Sequence, residues 1–186
     1  MKKIVFLDRD GVINKYPGHF KYVTTLKGFS FLPGAREAIA RLTRHGYTIF
    51  VISNQAGVGK GEYSQAELDK ITRAMHQGVE KAGGKISGVF YCTHRKEENC
   101  FCRKPKTGLI TAALKTLPES TFSAELADVF FIGDSIIDVE TGKAAGLKTI
   151  MVFSGRETAD DHASWSVEPD YTAQDLSAAV DIILGK

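Results

Sequence analysis

The sequence predicts an α/β domain built on a doubly wound parallel sheet. Three observations point there. Short runs rich in Val, Ile and Phe are apolar on both faces, as strands buried between two helical layers must be. Between them lie segments with a helical period, and the two kinds of segment alternate along the chain.

Taken in order, Lys3 to Leu7 is an almost wholly apolar strand that ends in Asp8. Pro33-Gly34 opens a helix from Ala35 to Arg44, with Ala38, Ile39 and Leu42 on one face and Gly46 as its stop. Tyr47 to Ser53 is the second strand. Ser64-Gln-Ala-Glu67 has the pattern of a capping box and starts a helix that runs through Met75 and Val79 to Gly83-Gly84. Ile86 to Tyr91 is the third strand, Leu109 to Leu117 a helix, Val129 to Ile132 a strand, Val139 to Ala145 a helix and Thr149 to Phe153 a strand. Ser154 to Asp170 is a polar connection that holds Trp165, and Gln174 to Leu184 closes the chain as a helix.

A length of 186 residues predicts a single domain over 1–186. Lys and Arg number 24 against 22 Asp and Glu, a net charge of +2, which argues against a nucleic-acid or membrane-surface partner. Met1-Lys2-Lys3 precedes only four apolar residues, too few for a signal peptide or a span, so the expected compartment is the cytoplasm. No long apolar stripe is left unexplained, which makes a monomer the expected state. The three cysteines, Cys92, Cys100 and Cys102, fall within eleven residues, an odd number that reads as metal ligation or reactive thiols rather than disulfides.

In a doubly wound sheet ligands bind at the carboxyl ends of the strands. The informative residues are therefore Asp8-Arg9-Asp10-Gly11, Ser53-Asn54-Gln55, Cys92-Thr93-His94 and Gly133-Asp134. If the first strand stays extended, Asp8 and Asp10 point the same way. Crowded carboxylates need a cation, and Mg²⁺ suits oxygen ligands; Asp134 offers a further carboxylate, with Asp138 one helical turn on. A carboxylate can attack phosphorus once metal and cations neutralise the approach. Lys104, the Ser53 hydroxyl and the amides around Asn54 and Gln55 could hold the oxygens of a transferring phosphoryl group.

Asp8-Arg-Asp-Gly-Val-Ile-Asn14, Ser53-Asn-Gln55, Arg103-Lys-Pro105 and Gly133-Asp-Ser-Ile-Ile-Asp138 resemble the four ordered motifs of the haloacid dehalogenase (HAD) superfamily of phosphatases. The resemblance implies that Asp8 is the nucleophile of a phosphomonoesterase that works through an aspartyl-phosphate. It implies that Asp10 is the general acid and then base, and that Ser53 and Lys104 steady the phosphoryl group. Mg²⁺ would be held by Asp8, the Asp10 carbonyl and Asp134.

Cys92-x-His94 and Cys100-x-Cys102 supply three thiolates and one imidazole, a closed tetrahedral set for a structural Zn²⁺. The alternative is three buried cysteines beside a chance histidine, but Arg95 to Asn99 is all polar and offers no core. With this zinc loop at 92–102 and no large cap domain, the sequence is similar to the D-glycero-D-manno-heptose 1,7-bisphosphate 7-phosphatase and histidinol-phosphatase family. That resemblance implies a small phosphorylated metabolite as substrate, with the 7-phosphate removed from the heptose bisphosphate, and places the chain in carbohydrate and lipopolysaccharide synthesis. It gives Arg103 a part in substrate recognition and makes the segment with His19 and Tyr22 a substrate-facing loop. Ser53 stands where Thr is common, and Ser135 where some of the family have Lys. Ala56 to Gly61 matches neither phosphate-loop pattern and is expected to be a flexible turn offering backbone amides. Three alternatives stand beside this reading: a histidinol-phosphate phosphatase, a polynucleotide 3′-phosphatase disfavoured by the balanced charge, and a zinc-stabilised binding module whose acids are structural.

Overall fold

The computed structural model describes residues 3–118 and 128–186; Met1 and Lys2 of the strand start lie outside them. The strands are β1 (Lys3–Leu7), β2 (Thr48–Asn54), β3 (Gly88–Cys92), β4 (Asp128–Gly133), β5 (Lys148–Val152) and β6 (Tyr171–Ala173). The helices are α1 (Ala35–Arg44), α2 (Gln65–Lys81), α3 (Gly108–Leu114), α4 (Ile136–Ala144) and α5 (Leu176–Leu184). One parallel sheet runs in the order β3-β2-β1-β4-β5-β6. The predicted doubly wound α/β fold is the one observed.

Strand periodicity builds the two layers. Along β1, Val5 and Leu7 pack with α1, α2 and α5, while Ile4 and Phe6 face the side of α3. Phe6 is in register with Phe50 of β2 and Phe131 of β4, and the three rings form a row with centroids 5.7 and 6.4 Å apart. Such cross-strand aromatic pairs add to the burial that holds the centre of the sheet. The connections wind in opposite senses from β1, so the crevice of the fold opens above the ends of β1 and β4.

Several boundaries differ from the sequence reading, among them the start of α4 at Ile136 instead of Val139, and β6 is an element the sequence reading did not include. β3 starts at Gly88 because Ser87 donates to the Ile49 carbonyl and sets the register there. α3 begins three residues after Pro105 and ends at Leu114, where Thr116 and Leu117 bond back to Ala113 and Leu114 in a tightened turn. α5 starts at Leu176, two residues later than expected, after Asp175, whose side chain accepts from the Ala178 N–H. β6 is only three residues long, with two exposed, and so carries no apolar run. At α2 the Ser64 hydroxyl accepts from the Glu67 N–H as predicted, but Glu67 pairs with Lys70 instead of closing the capping box. Among the described residues no helix is long and apolar enough to cross a membrane.

Candidate active site

Asp8 follows the last residue of β1, and its N–H still donates to the Ile132 carbonyl of β4 at 2.9 Å. The chain then leaves the sheet in a turn, with the Arg9 carbonyl accepting from the N–H groups of Ile13 and Asn14 at 2.9 and 3.1 Å. Asp8 and Asp10 do line one cavity, but the turn brings them there rather than an extended strand. Gly11 makes this possible: its φ is +84°, and a Cβ would lie 2.0 Å from Asp134 Oδ2.

Asp10 is held by donors on every side. Arg9 Nε and Nη2 reach Oδ1 at 3.1 and 2.9 Å, Asn14 Nδ2 reaches it at 2.8 Å, and Gln55 Nε2 reaches Oδ2 at 2.9 Å. Arg9 is completely buried, 5.6 Å from the Tyr91 ring centroid. Burial works against its charge, but Asp10 and Tyr91 outweigh it and hold the guanidinium protonated.

Lys104 closes the other side of Asp8. Its ammonium is buried, donates to the Ile52 carbonyl at 3.1 Å and to Asp138 Oδ1 at 2.5 Å, and lies 2.9 Å from Asp8 Oδ1. The Asp8 contact lacks the angle of a hydrogen bond, so Asp8 Oδ1 is a buried oxygen with no hydrogen-bond partner. Burial disfavours the charge on Lys104, and Asp138 and Asp8 more than restore it. Asn54 fixes the backbone beneath, accepting from the Lys104 N–H at 3.1 Å and donating to its carbonyl at 3.3 Å.

Carboxylate oxygens of Asp8, Asp134 and Asp138 lie within 4.8 Å of one another. Burial pushes Asp8 up to about 6 against the pull of Lys104, and Asp138 adds to the rise. Asp134 is raised well above the carboxylate range by burial and then by the charges of Asp8 and Asp138. Three buried acids with one orphaned oxygen fit a hard divalent cation, which relieves this repulsion. Both Asp138 oxygens are engaged, one by Lys104 and the other by the Ser135 N–H and hydroxyl at 3.1 and 2.6 Å. That leaves Asp8 and Asp134 free to ligate Mg²⁺, joined by the Asp10 carbonyl, which accepts no hydrogen bond among the described residues.

The second cluster lies between β3 and α3. The Cys92, Cys100 and Cys102 sulfurs are 3.4, 3.5 and 3.6 Å apart, and His94 Nδ1 is 3.2 and 3.7 Å from Cys102 and Cys92. A tetrahedral zinc with its usual bond lengths needs edges of about 3.8 Å between sulfurs and about 3.6 Å between nitrogen and sulfur. The four atoms fit that ion, and the sulfurs are too far apart for a disulfide. Burial and the neighbouring sulfurs push Cys92 up to about 12 and burial raises Cys102, whereas at Cys100 hydrogen bonds from Cys102 and Cys92 outweigh burial and lower the thiol to about 7. A full set of thiolates therefore needs a cation. The loop is pinned to the turn after β2 by Arg95 Nε on the Gly59 carbonyl at 2.6 Å and by the Gly59 N–H on the Thr93 carbonyl at 3.1 Å.

The centre opens into a cavity of about 520 Å³, lined by Asp8, Asp10, Ser53, Asn54, Lys104 and Asp134 at its base. Arg103 and Lys96 of the zinc loop, Tyr16 and Tyr22 of the segment after β1, and Arg156 after β5 line its walls.

The HAD-hydrolase-like family model matches residues 101–179. The D-glycero-beta-D-manno-heptose-1,7-bisphosphate 7-phosphatase of Neisseria meningitidis is 36% identical over 154 residues, 83% of this chain and 79% of its own. The D-glycero-D-manno-heptose-1,7-bisphosphate 7-phosphatase of Chlorobaculum tepidum is 34% identical over 192 residues, 99% of this chain and 96% of its own. The chain belongs to the heptose-bisphosphate phosphatase family of HAD-like hydrolases. The fold agrees: the D,D-heptose 1,7-bisphosphate phosphatase of B. bronchiseptica, crystallised with magnesium and phosphate, superposes with a TM-score of 0.87 at 30% identity and covers 98% of both chains.

Within this family's site, the structure brings together Asp8, Asp10, Ser53, Asn54, Lys104, Arg103, Tyr22 and Asp134 around one cavity. Two expected substrate contacts are placed elsewhere. Gln55 is fully buried, bonded to Asp10, Arg9, Ser53 and the Tyr63 hydroxyl, so it orients the site from behind. His19 is exposed and does not line the cavity; its ring meets Phe20 edge-on. The Ala56 to Gly61 turn is also corrected, since the N–H groups of Val58 to Gly61 bond to carbonyls nearby and none faces the cavity. Arg9 and Arg156 were not foreseen as site residues. Arg9 could have been found from its place between two acids at a buried strand end.

Proposed function

We propose that the chain is a Mg²⁺-dependent phosphomonoesterase that removes the 7-phosphate of D-glycero-D-manno-heptose 1,7-bisphosphate through an aspartyl-phosphate on Asp8. The observation that carries this is the Asp8 oxygen left without a hydrogen bond at the base of the cavity, pressed against Lys104 beside a firmly held Asp10. The names of the relatives support the substrate.

Asp8, Asp134 and the Asp10 carbonyl would hold magnesium, which would supply the positive charge that lets a carboxylate approach a phosphate anion. The Asp8 oxygen forms a bond to phosphorus while the phosphorus bond to the sugar oxygen breaks, and that oxygen takes a proton from Asp10. Lys104 and the Ser53 hydroxyl hold the phosphoryl oxygens in place during the transfer. Water then gives a proton to Asp10, its oxygen bonds to phosphorus, and the bond to Asp8 breaks to release phosphate. The donors gathered on Asp10 fix the orientation of its carboxyl group. Asn54 keeps Lys104 in place, and Gln55 with Arg9 keeps Asp10 aimed.

The test is phosphate release with Mg²⁺ over a panel of heptose 1,7-bisphosphate in both anomers, histidinol phosphate and a 3′-phosphorylated oligonucleotide. We expect a preference in kcat/KM of at least tenfold for one heptose anomer, and background turnover in Asp8→Asn with fold and zinc retained. Comparable weak turnover of every substrate would remove the heptose assignment while keeping the chemistry. An Asp8→Asn variant as active as the parent would return the protein to the class of zinc-stabilised binding modules.

A further inference from the structure

Arg156 lies in the connection after β5, on the opposite side of the catalytic centre from Arg103 and Lys96, which follow β3. Its backbone is built into that centre. The Arg156 N–H donates to Asp134 Oδ2 at 2.8 Å, the Glu157 N–H to the Asp134 carbonyl at 3.0 Å, and the Ser154 hydroxyl to the Gly11 carbonyl at 2.7 Å. Gly155 lets the segment close on the acid, for a Cβ there would fall 2.0 Å from Asp134 Oδ2.

The guanidinium itself is uncommitted. It stays 41% exposed, and its nearest acid, Glu157 Oε1, is 3.7 Å from Nε, beyond hydrogen-bond distance. Among the described residues no group accepts a hydrogen bond from it. The other groups on this side are spent: the Ser135 hydroxyl donates to Asp138, and Lys104 is buried between Asp138 and Asp8. Arg156 lines the same cavity as Tyr16 of the segment after β1.

We propose that Arg156 binds the phosphate that the substrate keeps, and so selects bisphosphates over monophosphates. This rests on the heptose bisphosphate reading above. The transferring phosphoryl group belongs at the buried base, where Asp8 and Lys104 are 8% and 5% exposed. A second phosphate, which stays partly solvated, belongs at the rim. A fixed backbone carrying a free planar fork is the arrangement that recognises phosphate oxygens in pairs. On the α4 side Ser135 is turned inward, its hydroxyl donating to Asp138 Oδ2, so it is not free to meet a phosphate at the rim.

The experiment measures kcat/KM for heptose 1,7-bisphosphate and heptose 7-phosphate in the parent, Arg156→Ala, Arg156→Lys and Arg103→Ala. We expect the parent to prefer the bisphosphate. In Arg156→Ala the loss on the bisphosphate exceeds the loss on the monophosphate by tenfold or more, mainly through KM, and Arg156→Lys restores part of the preference. Equal losses on both substrates, or none, would overturn the assignment. So would a preference that survives Arg156→Ala but disappears in Arg103→Ala, because the retained phosphate would then sit on the zinc loop. A parent that hydrolyses neither heptose refutes the substrate reading and this inference together, whereas an intact preference in Arg156→Ala refutes this inference alone.

Discussion

Replacing Lys104 by Met removes one positive charge from the centre of the site and leaves its volume nearly filled. The ammonium lies 2.9 Å from Asp8 Oδ1 and 2.5 Å from Asp138 Oδ1, with only 5% of the residue exposed. Breaking a buried pair strands its partner charge, at a cost of about 3–5 kcal/mol. For a domain of this size that is a fall in Tm of roughly 6–20 °C in metal-free protein. Mg²⁺ opposes the same repulsion, so it should raise the Tm of Lys104→Met by more than it raises the parent's. Loss of a charged donor aimed at the phosphoryl group should lower kcat by about 10²–10³. Adding Asp138→Asn should recover part of the lost stability but none of the lost rate, because it removes a stranded charge without supplying a cation. Scanning calorimetry with and without Mg²⁺ gives the stabilities, and phosphate release gives the rates. A metal-free Tm within a degree or two of the parent would refute the claim that Lys104 holds these acids together, whatever happened to the rate.

Gly155→Ala should weaken Mg²⁺ dependence about tenfold and destabilise by about 1–3 kcal/mol, since its Cβ would overlap Asp134 Oδ2 at 2.0 Å; an unchanged half-saturating Mg²⁺ concentration would speak against the seat described for this segment. Metal analysis should find one zinc per chain, and its removal should lower Tm and raise KM together; stripped protein with unchanged melting and kinetics would exclude a structural role. The Asp170 side chain is 36% exposed, and although burial opposes it, Lys143 and the N–H and hydroxyl of Thr149 hold its carboxyl below the usual value. Its contribution, about 1 kcal/mol, is therefore present above pH 4 and lost as pH falls through the depressed value. Asp170→Asn should lower Tm at pH 7, and the gap from the parent should close below pH 4; a gap independent of pH would refute the pairing.

The central strands were legible because β1, β2 and β4 are apolar on both faces, and only a sheet covered on both sides demands that. β6 was not, because three edge residues with two exposed need no such pattern. The rule that chemistry gathers at strand ends located Asp8, Ser53, Lys104's neighbour Asn54, and Asp134. Carried one strand further, to the end of β5, it points to Ser154-Gly155-Arg156 as well. Arg9 escaped for another reason: an arginine in sequence reads as solvated, and its burial depends on Gln55, 46 residues away, and on Tyr91. The same long-range contact turned Gln55 from a substrate ligand into a support. No local pattern records which of two adjacent amides, Asn54 or Gln55, faces the cavity.

A zinc ion on Cys92, His94, Cys100 and Cys102 would answer a folding problem at this site. Lys104 must enter a buried position beneath Asp8, and the segment that carries it there is poor in packing: residues 94–99 are all exposed, and Phe101 is 77% exposed. Ordering the nine residues between Cys92 and Cys102 costs about 9–18 kcal/mol of backbone entropy, at roughly 1–2 kcal/mol each. Few contacts are available to offset that, chiefly Arg95 on the Gly59 carbonyl and Lys106 on the Asn99 and Cys100 carbonyls. Zinc held by three thiolates and an imidazole would contribute about 10–16 kcal/mol, which is the right size. Cys92 ends β3 and Cys102 lies two residues before Lys104, so an ion held by both would tie the sheet directly to the cation. Placing the support on the β3 side also leaves the β5 side free, where the Ser154 to Glu157 segment needs no metal because Asp134 itself accepts its N–H groups. The two walls of the cavity are thus held by different means, and substitutions on one should leave the geometry of the other intact.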